Sequence, residues 1–447
     1  MRRRIVVVTG EVLAARLAGP AIRAREFARA LSRDHDVTLV STASCELTDG
    51  TVECTHADGD ALGRLGAGAD VVIVQGDGLR RAPGLADAPA VVVDLYAPFQ
   101  LEMLEQSRAL GPAERRAAVG LGLDVVNQQL RRGDFFLCAH ERQRDFWIGQ
   151  LAAVGRVNEV VYDASPDLAH LIAVVPFGVP DADAVRTAPG LRGVVPGIGA
   201  DDEVLLWGGG IYEWFDPLTL LRAVADLRER RPRLRLYFAG ARHPNPTVGE
   251  TAAARAARQL SDELGLTDEH VFFGEWVAYD DRADVLLDAD LAVSTHHDHV
   301  ETRYSFRTRA LDALWAGLPI VTTEGDALAD LVSTTGAGVA VPPGDVPALA
   351  TAIETLLDDR EARASAAAAA RTLARELRWA NVLGPLLDYC GAPVVSPDRL
   401  DPGVAAAIAR GGDLSLEPPL RRALGHVRRG EWTVLWEAAR RRIRREP

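Results

Sequence analysis

Residues 180–210 read PDADAVRTAPGLRGVVPGIGADDEVLLWGGG. The stretch 180–202 is rich in Pro, Gly and Ala and shows neither a helical nor a strand period, which is the composition of a linker. EVLLW, 203–207, is then a compact apolar run that stops at Gly208-Gly209-Gly210. FDPLTLLRA follows and opens a helix near Pro217, with proline at its first turn. Strand, glycine turn and helix form the opening unit of a parallel α/β layer. A fresh layer therefore begins after a linker.

What precedes the linker has the same rhythm. RIVVVT (4–9) ends at Gly10, and a helix is predicted from about Pro20. VTLVST (37–42), DVVIVQG (70–76), AVVVDLY (90–96), FFLCAH (135–140) and LIAVVPFG (171–178) are further strands. After the linker come LRLYFAG (234–240), VFFGE (271–275), DLAVST (290–295), LPIVTT (318–323) and GVAVPP (338–343). Near-continuous Val, Ile and Leu runs mark strands buried on both faces, hence parallel sheets. The expectation is two doubly wound, Rossmann-like α/β domains facing a cleft, 1–180 and 203–375, joined by a linker at 181–202. A crossover helix at 376–392, broken near Gly384-Pro385, and a helical tail at 393–447 complete it. The 447 residues exceed what one core usually holds.

The net charge of -13 argues against nucleic acid as a partner, because phosphate contacts need a basic surface. All 50 basic residues are Arg, so any anion grip must use Arg forks, His or backbone amides. Cys45, Cys54, Cys138 and Cys390 form no close pair, so neither zinc nor a disulfide framework is suggested. With no membrane-length apolar run, the expectation is a cytoplasmic protein. In the tail, GEWTVLWEAARRRIRREP sets Trp432 and Trp436 beside Arg440, Arg441 and Arg442. Such a helix suits either packing on the first domain or peripheral contact with the inner face of a membrane.

Two segments are candidates for chemistry. Gly208, Gly209 and Gly210 end a strand where backbone amides approach a ligand closely. THHDHVETRYSFRTRALDALWAGLPIVTT, 295–323, reads strand end, polar loop, helix, Gly-x-Pro turn and strand. Ser305 is the expected N-cap, exposing the amides of Phe306 and Arg307, with Arg303, Arg307 and Arg309 around the helix start. His296, His297, Asp298 and His299 are crowded on one loop in poor geometry for a metal, and no metal is expected. His140, after a first-domain strand, faces the cleft in this reading, as a catalytic or a structural histidine.

The second segment resembles the donor-binding signature of glycosyltransferase family 4. Asp312-Ala313 followed by Ala316-Gly317-Leu318-Pro319-Ile320-Val321 is similar to its second half. RIVVVTG with Gly19-Pro20, VVPFGVP (174–180), VFFGEW (271–276) and GVAVPPGD resemble other landmarks of the family. The resemblance covers roughly residues 1–390. It implies the GT-B fold, no cofactor, and transfer of a sugar, with retention, from a nucleotide diphosphate sugar to a saccharide, lipid-linked or small-molecule acceptor. It implies donor contacts from Gly274, Glu275, Trp276 and Asp312, and acceptor-side roles for Gly19 and Asp94.

The chain also departs from the pattern. The family's first Glu falls on Tyr304, with Glu301 the nearest acid upstream. The Arg and Lys that hold the diphosphate fall on Gly210 and about Phe215. The chain is thus read as a divergent branch, in which Glu301 replaces the missing Glu while Arg307 and Arg309 take the leaving-group charge. A nucleotide-sugar epimerase of the same fold and a sugar-nucleotide-binding pseudo-enzyme stay open as alternatives.

Overall fold

The computed structural model describes residues 1–245 and 248–409. Thirteen strands in chain order build two sheets. The first domain contains β1 (Arg4–Thr9), β2 (Asp36–Ser41), β3 (Glu53–His56), β4 (Val71–Val74), β5 (Ala90–Asp94), β6 (Phe135–Cys138) and β7 (Ile172–Val174). Their order is β3-β2-β1-β4-β5-β6-β7. The second contains β8 (Glu203–Gly208), β9 (Leu234–Ala239), β10 (Val271–Gly274), β11 (Leu291–Ser294), β12 (Ile320–Thr323) and β13 (Gly338–Val341). Their order is β10-β9-β8-β11-β12-β13. Every ladder is parallel.

The apolar runs explain the sheets. VVIV of β4 is buried throughout, as is AVVVD of β5, because helices cover both faces. In each sheet the strand order reverses once, between β1 and β4 and between β8 and β11. A crevice opens at such a switch point, beyond the carboxyl ends of the strands. The two crevices face each other, and that places the site.

The edge strand β3 was not expected. Its sequence ECTH has no apolar run and only partial burial, so nothing in it announces a strand. Residues 181–202 contain no helix or strand. Two carboxylates fasten this linker to the second domain. Asp284 accepts from the amides of Thr187 and Ala188 at 2.6 and 3.1 Å. Asp288 accepts from Gly190, Leu191 and Arg192 at 3.2, 2.6 and 2.9 Å.

The chain returns to the first domain after the helix Arg360–Glu376. Val179 N–H donates to Leu377 O at 2.8 Å, and Trp379 N–H donates to Val179 O at 3.0 Å. The crossover segment at 376–392, expected to break near Gly384-Pro385, holds two helices, Trp379–Val382 and Gly384–Gly391, with Pro385 in the first turn of the second. The tail then packs on the first domain. Asp398 accepts from the buried Arg156 Nε at 2.7 Å. The basic aromatic helix expected in the tail lies outside the described residues. No helix among the described residues is long and apolar enough to cross a membrane.

Candidate active site

A cavity of about 610 Å³ lies between the carboxyl ends of the two sheets. The glycine turn after β8 forms one wall. Gly209 has φ +81, in the left-handed region that glycine adopts freely. Gly240, after β9, has φ +121, and a Cβ there would sit 3.1 Å from the Gly209 backbone. Two strand ends are thus pressed close together, with the Tyr212 ring against Gly210. At Gly274 a Cβ would overlap the Tyr237 hydroxyl at 1.8 Å, so only glycine fits there. Aromatic rings close this wall: Tyr212 stacks on Trp214 at 5.0 Å, and His243 meets Trp276 edge-on at 5.6 Å. Trp276 Nε1 also donates to Leu17 O of the first domain at 3.1 Å.

The arginines part company. Arg307 is buried and bidentate to Glu301, Nη1 to Oε1 at 3.0 Å and Nη2 to Oε2 at 2.7 Å. Arg309 has no such partner. Its Nη2 donates to Gly210 O at 2.6 Å, and its guanidinium lies 3.5 Å from the Phe215 ring centre and 4.7 Å from that of Trp207. Its Nη1 is buried and unpartnered. Burial pulls its pKa down to about 9, with Tyr212 opposing and Arg307 reinforcing the fall. Both arginines line the cavity.

Several expected residues sit elsewhere. Glu301 does not line the cavity, because its carboxylate is held by Arg307 and by the Ser305 hydroxyl. Ser305 is not an N-cap. His299 caps its own short helix, Val300–Tyr304, accepting from Thr302 N–H at 3.3 Å. That helix consumes the segment, and the next one starts only at Arg309. The amides of Phe306 and Arg307 therefore do not form a helix start, although Ser305 and Phe306 both line the cavity. Arg303 and Glu275 are exposed and do not line it.

His140 caps the helix Glu141–Ala153, its Nδ1 accepting from Gln143 N–H at 3.4 Å. Its ring stacks on Phe306 at 6.1 Å, and burial lowers its pKa. It holds the domain interface together and does not line the cavity.

Asp94 does line the cavity, yet it is committed to the buried Arg23. Nε donates to Oδ2 at 2.7 Å and Nη2 to Oδ1 at 2.9 Å, while Gln75 Nε2 adds a bond at 2.8 Å. Asp312 lines the second-domain wall and pairs with Arg282 at 2.9 Å. Gly19 starts the helix Gly19–Leu31, and a Cβ on it would lie 3.7 Å from Thr308 Oγ1 across the cleft.

The crowded histidines separate. His296 Nε2 lies 3.1 Å from Asp326 Oδ2, His297 is half-exposed, and His299 is a cap. Among the described residues no group of His, Cys, Asp and Glu is set to hold a metal ion.

Two cavity carboxyls had no sequence signal. Glu11 follows β1 through Gly10, and burial raises its pKa. Glu102, on the helix Phe99–Gln106, is pushed up to about 8 by burial and then by Glu301, against the pull of Arg307. Neither belongs to a motif, and only the folded cleft brings them to face Tyr212.

Comparison with known proteins agrees with this geometry. Residues 202–359 match the family model "Glycosyl transferases group 1". The chain is 30% identical over 232 residues to a D-inositol 3-phosphate glycosyltransferase of Saccharomonospora viridis, covering 51% of each chain. The enzyme of that name from Kineococcus radiotolerans is 34% identical, covering 49% of this chain and 50% of its own. The chain thus spans about half the length of the curated relatives it matches. Among solved structures, sucrose-phosphate synthase from Thermosynechococcus elongatus superposes with a TM-score of 0.65 at 16% identity, over 88% of this chain and all of that one. WaaG, a glycosyltransferase involved in lipopolysaccharide biosynthesis, gives 0.61 at 17% over 87% of this chain and 100% of its own. Anabaena HepE in complex with UDP-glucose gives 0.61 at 14% over 88% and 100%. The second domain thus carries the match to the group 1 glycosyltransferases, and the chain has the GT-B fold across both domains.

Proposed function

We propose that the chain transfers a sugar from a nucleoside diphosphate sugar, held on the second-domain wall, to an acceptor hydroxyl held on the first-domain wall. The observation that carries this reading is Arg309, a cation in the cleft with an unpartnered Nη1 and no carboxylate pair among the described residues. Such a group favours an arriving anion, and a diphosphate offers oxygens in the geometry a guanidinium matches. The floor of Gly208–Gly210 lets the phosphates come close, and the rings of Tyr212, His243 and Trp276 suit a flat base.

In this reading the bond from the anomeric carbon to the diphosphate oxygen breaks, and a bond to the acceptor oxygen forms. The acceptor proton leaves on the diphosphate. Arg309 stabilises the charge that grows on the leaving oxygen, an effect worth about 10²–10³ in rate for a single well-placed donor. Arg307 contributes less, because Glu301 already balances it. Retention of configuration and a hexosyl donor follow the family resemblance, and no cofactor is assigned. Uridine diphosphate glucose is the first donor to try, since HepE is a fold neighbour and binds it. Incubation of the full chain with that donor and a set of acceptors tests the reading, with proton NMR of the product reporting the anomeric configuration. A retained anomer on a new acceptor is expected. Conversion of the donor to another sugar with no acceptor present would instead favour the epimerase.

A further inference from the structure

Resting on that donor-and-acceptor reading, we infer that the acceptor carries a protonated amine beside its hydroxyls and bears no phosphate. Among the described residues the first-domain wall of the cavity holds no cation. The chain has no lysine. Arg23 lies behind the wall with its donors used by Asp94, Val175 O and Pro176 O. The start of the helix Gly19–Leu31 offers backbone donors here, but among the described residues no side-chain cation on this wall supplies the charge that balances a phosphate dianion.

The same wall is rich in acceptors. Glu11 and Glu102 line it, and Gln75 lines it too, 3% exposed, with an amide oxygen that has no partner. Burial alone acts on Glu11, so no cation relieves it. Glu102 feels Arg307, but that charge is already matched by Glu301. Tyr96 and Tyr212 line the same cavity as the two carboxyls. Two carboxyls, aromatic faces and a free amide oxygen form a cage for an ammonium group. A cation there lets both acids ionise without leaving an uncompensated buried charge. The donor diphosphate across the cleft adds attraction of the same sign.

The relatives from S. viridis and K. radiotolerans are named for a phosphorylated inositol, so a matched series of cyclitols asks the question directly. The full chain is titrated by calorimetry at pH 7.5 with streptamine, myo-inositol and D-inositol 3-phosphate. Streptamine is expected to bind at least about 10-fold tighter than myo-inositol, and the phosphate no tighter than myo-inositol. Glu102→Gln and Glu11→Gln are each expected to weaken streptamine about 10-fold and to narrow its advantage over myo-inositol, with thermal unfolding showing that both variants fold. Binding of the phosphate as tightly as streptamine, no binding of streptamine, or a streptamine affinity indifferent to both variants overturns the inference. A parallel titration with UDP separates this from the transfer reading. Streptamine bound as expected but no nucleotide bound upholds the amine site and removes the glycosyl transfer. Nucleotide bound with the phosphate preferred does the reverse.

Discussion

The guanidinium of Arg309 lies 3.5 Å from the centre of the Phe215 ring, and no carboxylate pairs with it among the described residues. Six positions before Arg307, Glu301 pairs with both of its Nη atoms, at 3.0 and 2.7 Å. Two arginines that look alike in RTR therefore have opposite situations. Arg307 belongs to a buried network with Glu301, Thr302 and Ser305, and its Nε lies 3.9 Å from Asp326 Oδ2. Arg309 rests on the Phe215 ring with Nη1 unpartnered, the situation that an anionic ligand would relieve in the proposed function.

Arg309→Met separates function from stability. The thermal midpoint is expected to stay or rise, because an unpaired, partly buried charge is removed. Nucleotide affinity is expected to fall about 100-fold, as loss of a charge-assisted contact implies. Scanning calorimetry and titration on the same sample check both.

Glu301→Gln is expected to destabilise the fold by about 3 kcal/mol, because Arg307 loses its bidentate carboxylate and keeps only Asp326 at 3.9 Å. Adding Arg307→Met should recover most of the loss. Urea unfolding of the single and double variants measures it, and an unchanged midpoint in Glu301→Gln contradicts the buried pair.

Gly274→Ala places a methyl on the Tyr237 hydroxyl. The strain is expected to cost about 1–3 kcal/mol. It should also shift Trp276 and weaken nucleotide binding. Intrinsic tryptophan fluorescence with denaturant titration reads both effects.

Glu102 gives the pH dependence a sign. Its pKa is raised from 4.5 to about 8 in the folded chain. Between those values the folded state holds a proton that the unfolded state releases, so stability attributable to this group is lost as pH rises and then levels off above about 8. Glu102→Gln has no such proton. Its thermal midpoint relative to wild type is expected to climb from pH 5 to pH 8.5, and a constant difference counts against a raised Glu102.

The two sheets were legible because buried parallel strands print themselves as runs such as RIVVVT and EVLLW, and glycine marks their ends. β3 was not, since an edge strand of Glu, Cys, Thr and His needs no apolar signature. The motif segment gave the right region but the wrong helix start. His299 takes a capping role that Ser305 matches equally well by type, and only the fold decides between them. The pairing of Glu301 with Arg307 reassigned a residue expected to touch the sugar. Glu11 and Glu102 could not be read at all, because they come from separate elements and meet only across the cleft.

The claim that the second-domain wall holds a nucleoside diphosphate through Arg309 is tested most directly by titrating the full chain with UDP, GDP, dTDP and ADP, beside Arg309→Gln. The account predicts saturable binding of at least one nucleotide, at one site per chain, weakened about 100-fold in the variant. No binding of any of the four to the wild type, or equal binding to the variant, would contradict it.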